Sequence, residues 1–197
     1  IHLVNLDPNT LLVRNEPAKL VPLQQPPESP FVRSYRVESR VSTASSEELQ
    51  SVTRSQLKQG EHMSSRRLDF YTKADPTRRI VELSERLTAD VDNVYAMATA
   101  VKEHLIEEYY YSLSPGVAAD GDQLSHFLFE SRKGYCSYFA FAMALMLRSQ
   151  DVPARVAVGF FANPELQKLN VYPIHANMAH AWVEVYMGEY GWIEFDP

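Results

Sequence analysis

Residues 134–148 read Gly-Tyr-Cys-Ser-Tyr-Phe-Ala-Phe-Ala-Met-Ala-Leu-Met-Leu-Arg and predict a helix that is apolar on nearly all sides. A helix of this kind is normally buried in the core of a domain. The predicted helix begins near Cys136, the only cysteine of the chain. Because the positive end of a helix dipole favours a thiolate over a thiol, Cys136 is a candidate nucleophile. The alternative is a structural cysteine, since free cysteine is among the most buried residue types.

The composition around this helix is that of a globular protein. Of the 197 residues, 45% are hydrophobic and 22% are charged, which is enough to bury a sizeable core. The length fits one ordinary domain with an additional subdomain. The formal net charge is −6 and the basic residues are scattered. A nucleic-acid partner is therefore not expected, because it would need a basic stripe.

The sequence also limits the other kinds of site. A single cysteine excludes an internal disulfide and a zinc site built from several cysteines. The histidines lack metal-ligand spacing and no acidic loop has calcium-ligand spacing, so we expect no metal and no cofactor. No apolar run approaches the roughly 18 residues that span a bilayer. The chain starts at Ile1 without a signal-peptide pattern and stops at Pro197, so we expect it to belong to a longer protein that holds any membrane anchor.

Residues 1–68 predict an extended N-terminal segment with a short helix. Prolines recur through residues 1–30, which favours an extended, loop-like chain with one edge strand at most. Residues 31–41 mix β-branched and aromatic side chains with charges and predict a strand with one solvated face. Ser45 and the acidic residues after it predict a helix that runs to about Gln59 and ends at Gly60.

Residues 69–197 predict helices followed by an antiparallel sheet, which is the α+β class. Apolar residues at helical spacing predict one helix from Ile80 to Leu87 and a longer one, capped by Asp92, whose buried face ends at Leu105. Asp122 is the expected cap of a further short helix. Strands are predicted over residues 154–161, 181–186 and 190–196, with a turn at residues 187–189 between the last two and a long surface loop over residues 162–178.

The predicted hairpin supplies the groups that a cysteine nucleophile needs. Pairing its strands through the turn sets His180 directly across from Asp196, and directly opposed residues have Cβ atoms about 4.5–5.5 Å apart. A carboxylate at that distance accepts a hydrogen bond from the imidazole Nδ1–H, fixes the tautomer and leaves Nε2 to take the thiol proton. Strand register thus predicts the His180–Asp196 pair, although it does not place Cys136 against that pair.

Each candidate also has a structural interpretation. An aspartate before a proline is commonly a turn residue at a strand end, which is the alternative for Asp196. His175 lies in the long loop and is expected to be solvated. Trp182 and Trp192 alternate along strands, which is more typical of core residues than of a substrate platform. Arg155 is either a half-buried ion-pair partner or a substrate clamp.

These residues resemble the signature of the transglutaminase-like superfamily. The motif of that family consists of a glycine, one residue, the cysteine, a Phe-Ala pair, a Leu-Arg pair and Ile/Val-Pro-Ala-Arg. This chain matches the motif at Gly134, Cys136, residues 139–140, residues 147–148 and residues 152–155. The family's His-Ala-Trp strand matches residues 180–182, and its aspartate before proline, ending a Trp-containing strand, matches residues 192–197. Residues 150–151 depart from the pattern, since the family usually has a glycine there. Papain-type proteases place the histidine about 130–150 residues after the cysteine, which does not fit.

The resemblance covers residues from about 70 to 197 and implies a papain-like/transglutaminase-core fold. In that fold, Cys136 starts a buried helix packed on an antiparallel sheet that carries His180 and Asp196. Tyr111 matches a tyrosine of the family and is a candidate oxyanion-hole donor beside the Cys136 backbone N–H. A tyrosine packed in the core is the alternative for that position.

The resemblance implies a catalytic Cys136–His180–Asp196 triad in a transglutaminase-type acyltransferase. A glutamine carboxamide would form a thioester on Cys136, and lysine or another primary amine would resolve it. The alternatives are a cysteine peptidase or amidase with the same triad, and a non-catalytic relative that uses the groove for binding. Residues 35–50 and the helices before Tyr109 resemble bacterial membrane-anchored members. This implies an extracytoplasmic domain, periplasmic or at the cell surface, that acts on a protein or peptide substrate.

Overall fold

The computed structural model describes residues 2–3, 13, 16–29, 33–59, 62–169 and 171–197. The chain divides into two compact units, Ile1–Thr43 and Ala44–Pro197. This division comes earlier in the chain than the boundary expected at residue 69. The reason is that Leu49, Val52 and Leu57 are buried in the same apolar cluster as the rest of the second unit.

The first unit is a three-stranded antiparallel sheet in the order β1-β3-β2. Its strands are β1 (His2–Leu3), β2 (Glu16–Pro22) and β3 (Arg33–Arg40). The strand expected over residues 31–41 is therefore confirmed within the described residues. Strand β2 lies at an edge of this sheet, where prolines are tolerated. The expectations for residues 4–12 and 30–32 lie outside the described residues.

The helices of the second unit follow the apolar spacing of the sequence. They are α1 (Ser46–Gln50), α2 (Arg54–Lys58), α3 (Ser65–Thr72), α4 (Arg78–Thr88), α5 (Val94–Glu108), α6 (Gln123–His126) and α7 (Cys136–Arg148). Helix α6 continues directly into a π-helix over Phe127–Ser131. In the described ranges, none of the helices has both the length and the apolarity needed to cross a membrane.

Two of the expected helix boundaries are wrong. The helix predicted from Ser45 to Gln59 is two short helices, because Thr53 starts a second capping box with Gln56. The chain is also held extended there, since the carbonyl of Val52 accepts a hydrogen bond from the N–H of Val94 at 2.8 Å. Helix α5 is capped by Asn93, whose Oδ1 accepts from the N–H of Ala96 at 2.7 Å, and not by Asp92. The helix end expected at Gly60 lies outside the described residues.

The main sheet of the second unit is antiparallel, in the order β6-β7-β8. It consists of β6 (Ala154–Phe160), β7 (Ala179–Tyr186) and β8 (Trp192–Phe195). Two short strands, β4 (Tyr110–Tyr111) and β5 (Lys133–Gly134), pair in parallel elsewhere. Helices precede this sheet in the chain, and the predicted α+β class is confirmed.

Helix α7 lies in the core, as expected from its composition. One apolar cluster contains α7, the inward residues of α5 and alternate residues of β7; the β7 members include Ala181, Val183 and Val185. Phe141 is the exception on α7, because it is 56% exposed. The helix is therefore buried on most sides but not on all.

His104 is a titratable side chain that burial perturbs. Its Nε2 atom is buried and has no hydrogen-bond partner among the residues that the structure describes. Its ring lies edge-on to Tyr109, with the ring centroids 5.6 Å apart. Burial lowers the pKa of His104, and the charge of Glu108 opposes that shift. The folded chain therefore favours the neutral imidazole.

We expect His104 to make the fold less stable in acid. Above the ordinary histidine pKa of 6.5, neither state needs a proton there. As the pH falls below that value, the unfolded chain takes up the proton first and unfolding becomes easier. Denaturant titrations of His104→Gln should show a smaller loss of unfolding free energy between pH 7.5 and pH 5.5 than the native chain shows. The non-titrating surface change Ile106→Val should keep the native pH slope, and an equal slope in His104→Gln would contradict the prediction.

Candidate active site

Cys136 is the first residue of α7, as the sequence predicts. The preceding residue, Tyr135, is the N-cap and has an extended backbone, with φ −107° and ψ 176°. Among the described residues, no side chain caps this helix. The N–H of Tyr138 donates to the carbonyl of Tyr135 at 2.8 Å. The N–H groups of Cys136 and Ser137 have no such partner in the described part of the chain, so they remain available to an oxygen ligand, and the helix dipole favours negative charge there. Cys136 is a free, half-buried cysteine at this helix end.

Backbone hydrogen bonds hold the segment before Cys136. The N–H of Tyr110 donates to the carbonyl of Arg132 at 2.8 Å, and the N–H of Ser112 donates to the carbonyl of Gly134 at 2.7 Å. The π-helix before this segment ends at Ser131, and the C-cap residue Arg132 has a left-handed backbone with φ 50°. The start of α7 is thus fixed by a parallel strand pair and not by α7 alone.

Gly134 lets this segment approach the first turn of α7. A Cβ atom at Gly134 would lie 2.6 Å from the Cβ of Tyr138 and 3.0 Å from the ring of Phe127. Neither distance leaves room for a methyl group. The glycine of the sequence motif is therefore required by space, two residues before Cys136.

His180 and Asp196 form the predicted pair. The imidazole Nε2 of His180 lies 2.8 Å from Oδ2 and 2.9 Å from Oδ1 of Asp196. The side chain of His180 is 26% exposed and that of Asp196 is 58% exposed. The carboxylate of Asp196 thus contacts one ring nitrogen, Nε2, of the half-buried His180.

The predicted register of the hairpin is wrong by two residues. Strand β7 pairs Val183 with Phe195, so Asp196 lies diagonally from His180 and not directly opposite it. The connection is longer than expected because Gly188–Tyr190 forms a 3-10 turn, closed by a 2.8 Å bond from the N–H of Met187 to the carbonyl of Gly191. An even shift keeps both side chains on the same face of the sheet, and a diagonal neighbour is still within reach of a long side chain.

The predicted tautomer is also wrong. Nε2 of His180, and not Nδ1, contacts the carboxylate of Asp196. Since Asp196 lies diagonally, the nitrogen farther from the backbone is the one that reaches it. Nε2–H donates to the carboxylate, and Nδ1 is the nitrogen that remains to accept a proton.

The structure brings two of the three expected triad residues into contact. Among the described residues, no hydrogen bond joins Cys136 to His180 or Asp196. Cys136 begins the helix that packs on β7, and His180 lies near the start of that strand. Catalytic hydrogen bonds in an unliganded site are often long and tighten only when substrate binds. The three-residue triad therefore stays a prediction.

Tyr111 is 65% exposed, so the alternative of a core-packed tyrosine is wrong. It lies on β4 opposite Gly134, and its ring stacks against Phe139 with centroids 6.4 Å apart. The side chain is thus beside the segment that leads into Cys136. Its role as an oxyanion-hole donor remains a prediction.

The other candidates fall into structural roles. The Nε of Arg155 donates to Glu184 at 2.6 Å, and its guanidinium lies 4.1 Å from the centre of the Trp192 ring. This confirms the ion-pair interpretation of Arg155. His175 is exposed in the loop between β6 and β7, as expected. No group of three or more metal-ligating side chains occurs within the described ranges.

The close packing at Gly159 was not predicted from the sequence. This residue lies in β6 directly opposite His180, and a Cβ atom there would lie 3.0 Å from the indole of Trp182. A glycine inside a strand often marks the close approach of another group. That signal was present in the sequence, although it did not identify Trp182 as the group.

Residues 81–197 match the sequence model of the transglutaminase-like superfamily. The chain belongs to this superfamily. The membership covers the strand pair, the start of α7 and the hairpin that carry the candidate site residues.

Two curated proteins and one solved structure are similar to parts of the chain. The uncharacterized protein YebA of Bacillus subtilis (strain 168) is 36% identical over 126 residues, which is 60% of this chain and 17% of YebA. A protein-glutamine gamma-glutamyltransferase of Pseudomonas aeruginosa is 40% identical over 91 residues, 46% of this chain and 14% of that protein. The crystal structure of the periplasmic domain of TgpA from Pseudomonas aeruginosa is 31% identical, with a TM-score of 0.59 over 68% of this chain and 48% of that chain. The chain thus spans only a small part of its curated relatives.

We expect Gly134→Ala to destabilise the second unit. The added methyl group would contact the Cβ of Tyr138, which cannot move without moving helix α7. Overpacking of this kind typically costs about 1–3 kcal/mol in the free energy of unfolding, measurable by denaturant titration. The neighbouring change Lys133→Ala removes an exposed side chain from the same strand and should stay within about 0.5 kcal/mol of the native chain. Equal stability of the two variants would contradict the prediction, because it would show that the segment around Gly134 can move to accommodate the methyl group.

Proposed function

We propose that this protein is a cysteine-dependent acyltransferase of the transglutaminase type. The observation that carries the proposal is the His180–Asp196 pair, in which the carboxylate holds Nε2 at 2.8 Å and leaves Nδ1 as a proton acceptor. An imidazole oriented by a carboxylate is the base that a thiol nucleophile needs. The transferase of Pseudomonas aeruginosa, 40% identical over the matched residues, supports the same reaction class.

The proposed first half-reaction forms a thioester. Nδ1 of His180 takes the proton of the Cys136 thiol. The resulting thiolate attacks the carboxamide carbon of a glutamine side chain, and a C–S bond forms. His180 passes a proton from Nδ1 to the amide nitrogen, the C–N bond breaks and ammonia leaves. The N–H of Cys136, at the start of α7, would stabilise the oxyanion, with the hydroxyl of Tyr111 as the second donor.

The proposed second half-reaction transfers the acyl group to a primary amine such as lysine. Nδ1 of His180 accepts a proton from the amine as its nitrogen attacks the thioester. A new amide bond forms and the thiolate of Cys136 leaves. Asp196 stabilises the imidazolium in both halves through the contacts at Nε2.

Hydrolysis is the second candidate function. The carboxylate side of the His180–Asp196 pair is open, since the Asp196 side chain is 58% exposed. Water that enters there could resolve the thioester and make the protein an amidase or peptidase. A non-catalytic binding role is less well supported, because the chain keeps all three residues that the chemistry requires.

The proposed location is outside the cytoplasm. The support is the structural similarity to the periplasmic domain of TgpA, at 31% identity and a TM-score of 0.59. A protein or peptide substrate in the periplasm or at the cell surface fits that location. We propose that the parent protein is anchored to the membrane by segments outside this chain.

We expect Cys136→Ala to abolish incorporation of a fluorescent primary amine into a glutamine-rich protein such as casein. His180→Gln and Asp196→Asn should lower the rate by at least about 10²-fold, since triad members act as a unit. The matched control His175→Ala changes an exposed loop histidine and should keep the native rate. Thermal melts would verify that each variant folds, and amine incorporation by folded Cys136→Ala would contradict the proposal.

The same purified protein should distinguish transfer from hydrolysis. We expect ammonia release from a glutamine peptide to accelerate when a primary amine is added, with one amide formed for each ammonia. Ammonia release that does not respond to amine, together with a free glutamate product, would identify an amidase. Cleavage of the peptide backbone would identify a peptidase.

A further inference from the structure

We propose that Trp182 is a positioning residue that holds the imidazole of His180 in one orientation. We further propose that Gly159 is a glycine because the indole of Trp182 occupies the space of its side chain. The inference rests on the proposed function, in which His180 moves the protons. It assigns a role in that chemistry to two residues outside the expected triad.

The indole lies alongside the imidazole. His180 and Trp182 are two residues apart on β7, so their side chains share one face of the sheet. Their ring centroids are 6.2 Å apart and their planes differ by 23°. The two rings are therefore stacked, and the indole limits rotation of the imidazole about its Cβ–Cγ bond.

Strand β6 provides the space for this arrangement. Ala157 lies opposite Trp182, and Gly159 lies opposite His180. A Cβ atom at Gly159 would lie 3.0 Å from Cη2 and 3.3 Å from Cζ3 of the indole. Two small residues on β6 thus let the indole extend along the sheet toward His180. A larger residue at position 159 would displace the ring.

Core packing alone does not explain a tryptophan at this position. Its Nε1 atom is buried and has no hydrogen-bond partner in the described part of the chain. A buried donor without a partner costs stability, and phenylalanine would fill apolar space without that cost. The feature that tryptophan adds is the length of its flat ring, and the far end of that ring lies over Gly159.

The imidazole needs a second constraint besides Asp196. The side chain of Asp196 is 58% exposed, and water can compete for both of its oxygens. The ring torsion of a histidine is broad, so a contact at Nε2 alone leaves the ring free to turn when water replaces the carboxylate. A stacked indole blocks that rotation and keeps Nδ1 directed to the same place, and it shields one face of the ring from water.

The experiment compares Trp182→Leu, Trp182→Phe and Gly159→Ala with the native chain. The matched control is Val158→Ala, the neighbouring change in β6, whose side chain is 78% exposed. Amine transfer gives kcat and KM for each. Nitrogen-15 NMR at alkaline pH reports which imidazole nitrogen of His180 carries the proton, with the signal assigned by its absence in His180→Gln.

We expect a single Nε2–H tautomer in the native chain and a mixture of tautomers in Trp182→Leu. Misplacing a base by about 1 Å can lower the rate about 10²-fold. We therefore expect kcat of Trp182→Leu to fall by up to about 10²-fold, while KM changes less than about threefold. Gly159→Ala should change both readouts in the same direction and to a smaller extent. Trp182→Phe should recover part of kcat and melt no lower than the native chain, and Val158→Ala should match the native chain.

An unchanged tautomer in both Trp182→Leu and Gly159→Ala would overturn the inference and leave Trp182 as a core residue. A kcat within twofold of the native value in folded Trp182→Leu would do the same. The NMR measurement requires no turnover. It therefore tests the positioning role even if the native chain transfers no acyl group, an outcome that would contradict only the proposed function.

Discussion

Burial of helix α7 against strand β7 is the constraint on which the second unit depends. Met143 and Leu147 of the helix share one apolar cluster with Val183 and Val185 of the strand. Because side chains alternate along a strand, burial of these valines assigns His180 to the opposite set of positions on β7. One packing interaction therefore fixes both the position of the helix that begins with the candidate nucleophile and the face that carries the candidate base.

The same alternation explains why the His180–Asp196 pair survives a wrong register. A shift of two residues moves Asp196 along the face that it shares with His180, and the carboxylate still reaches Nε2 at 2.8 Å. A shift of one residue would place Asp196 on the other face and also turn Phe195 out of the core. Because a one-residue shift would expose Phe195, burial of Phe195 disfavours that shift and so maintains the contact between His180 and Asp196.

Glycines create the close approaches on both sides of the candidate site. Gly134 admits the side chain of Tyr138 next to the segment that leads into Cys136, and Gly159 admits the indole of Trp182 next to His180, the candidate base. The Cβ of Tyr138 occupies the space of a side chain at position 134, and the indole of Trp182 occupies that space at position 159. Positioning by packed aromatic groups is rigid, because a ring in a close-packed environment has few alternative places. This rigidity is what a proton-transfer site requires of its surroundings.

Apolar periodicity was enough to predict the elements that are buried in the core. The apolar run that starts at Cys136, the helical spacing of α5 and the alternation of β7 all predicted elements that the structure contains. The alternation of side chains along the two strands also predicted that His180 and Asp196 share one face of the sheet. Features that depend on distant partners were evident only in the folded chain. They are the break before Thr53, the five-residue connection of the hairpin, the use of Nε2 and the stacking of Trp182. Periodicity reports that a face is buried, whereas the partner, the loop length and the ring orientation are set by contacts between segments far apart in the chain.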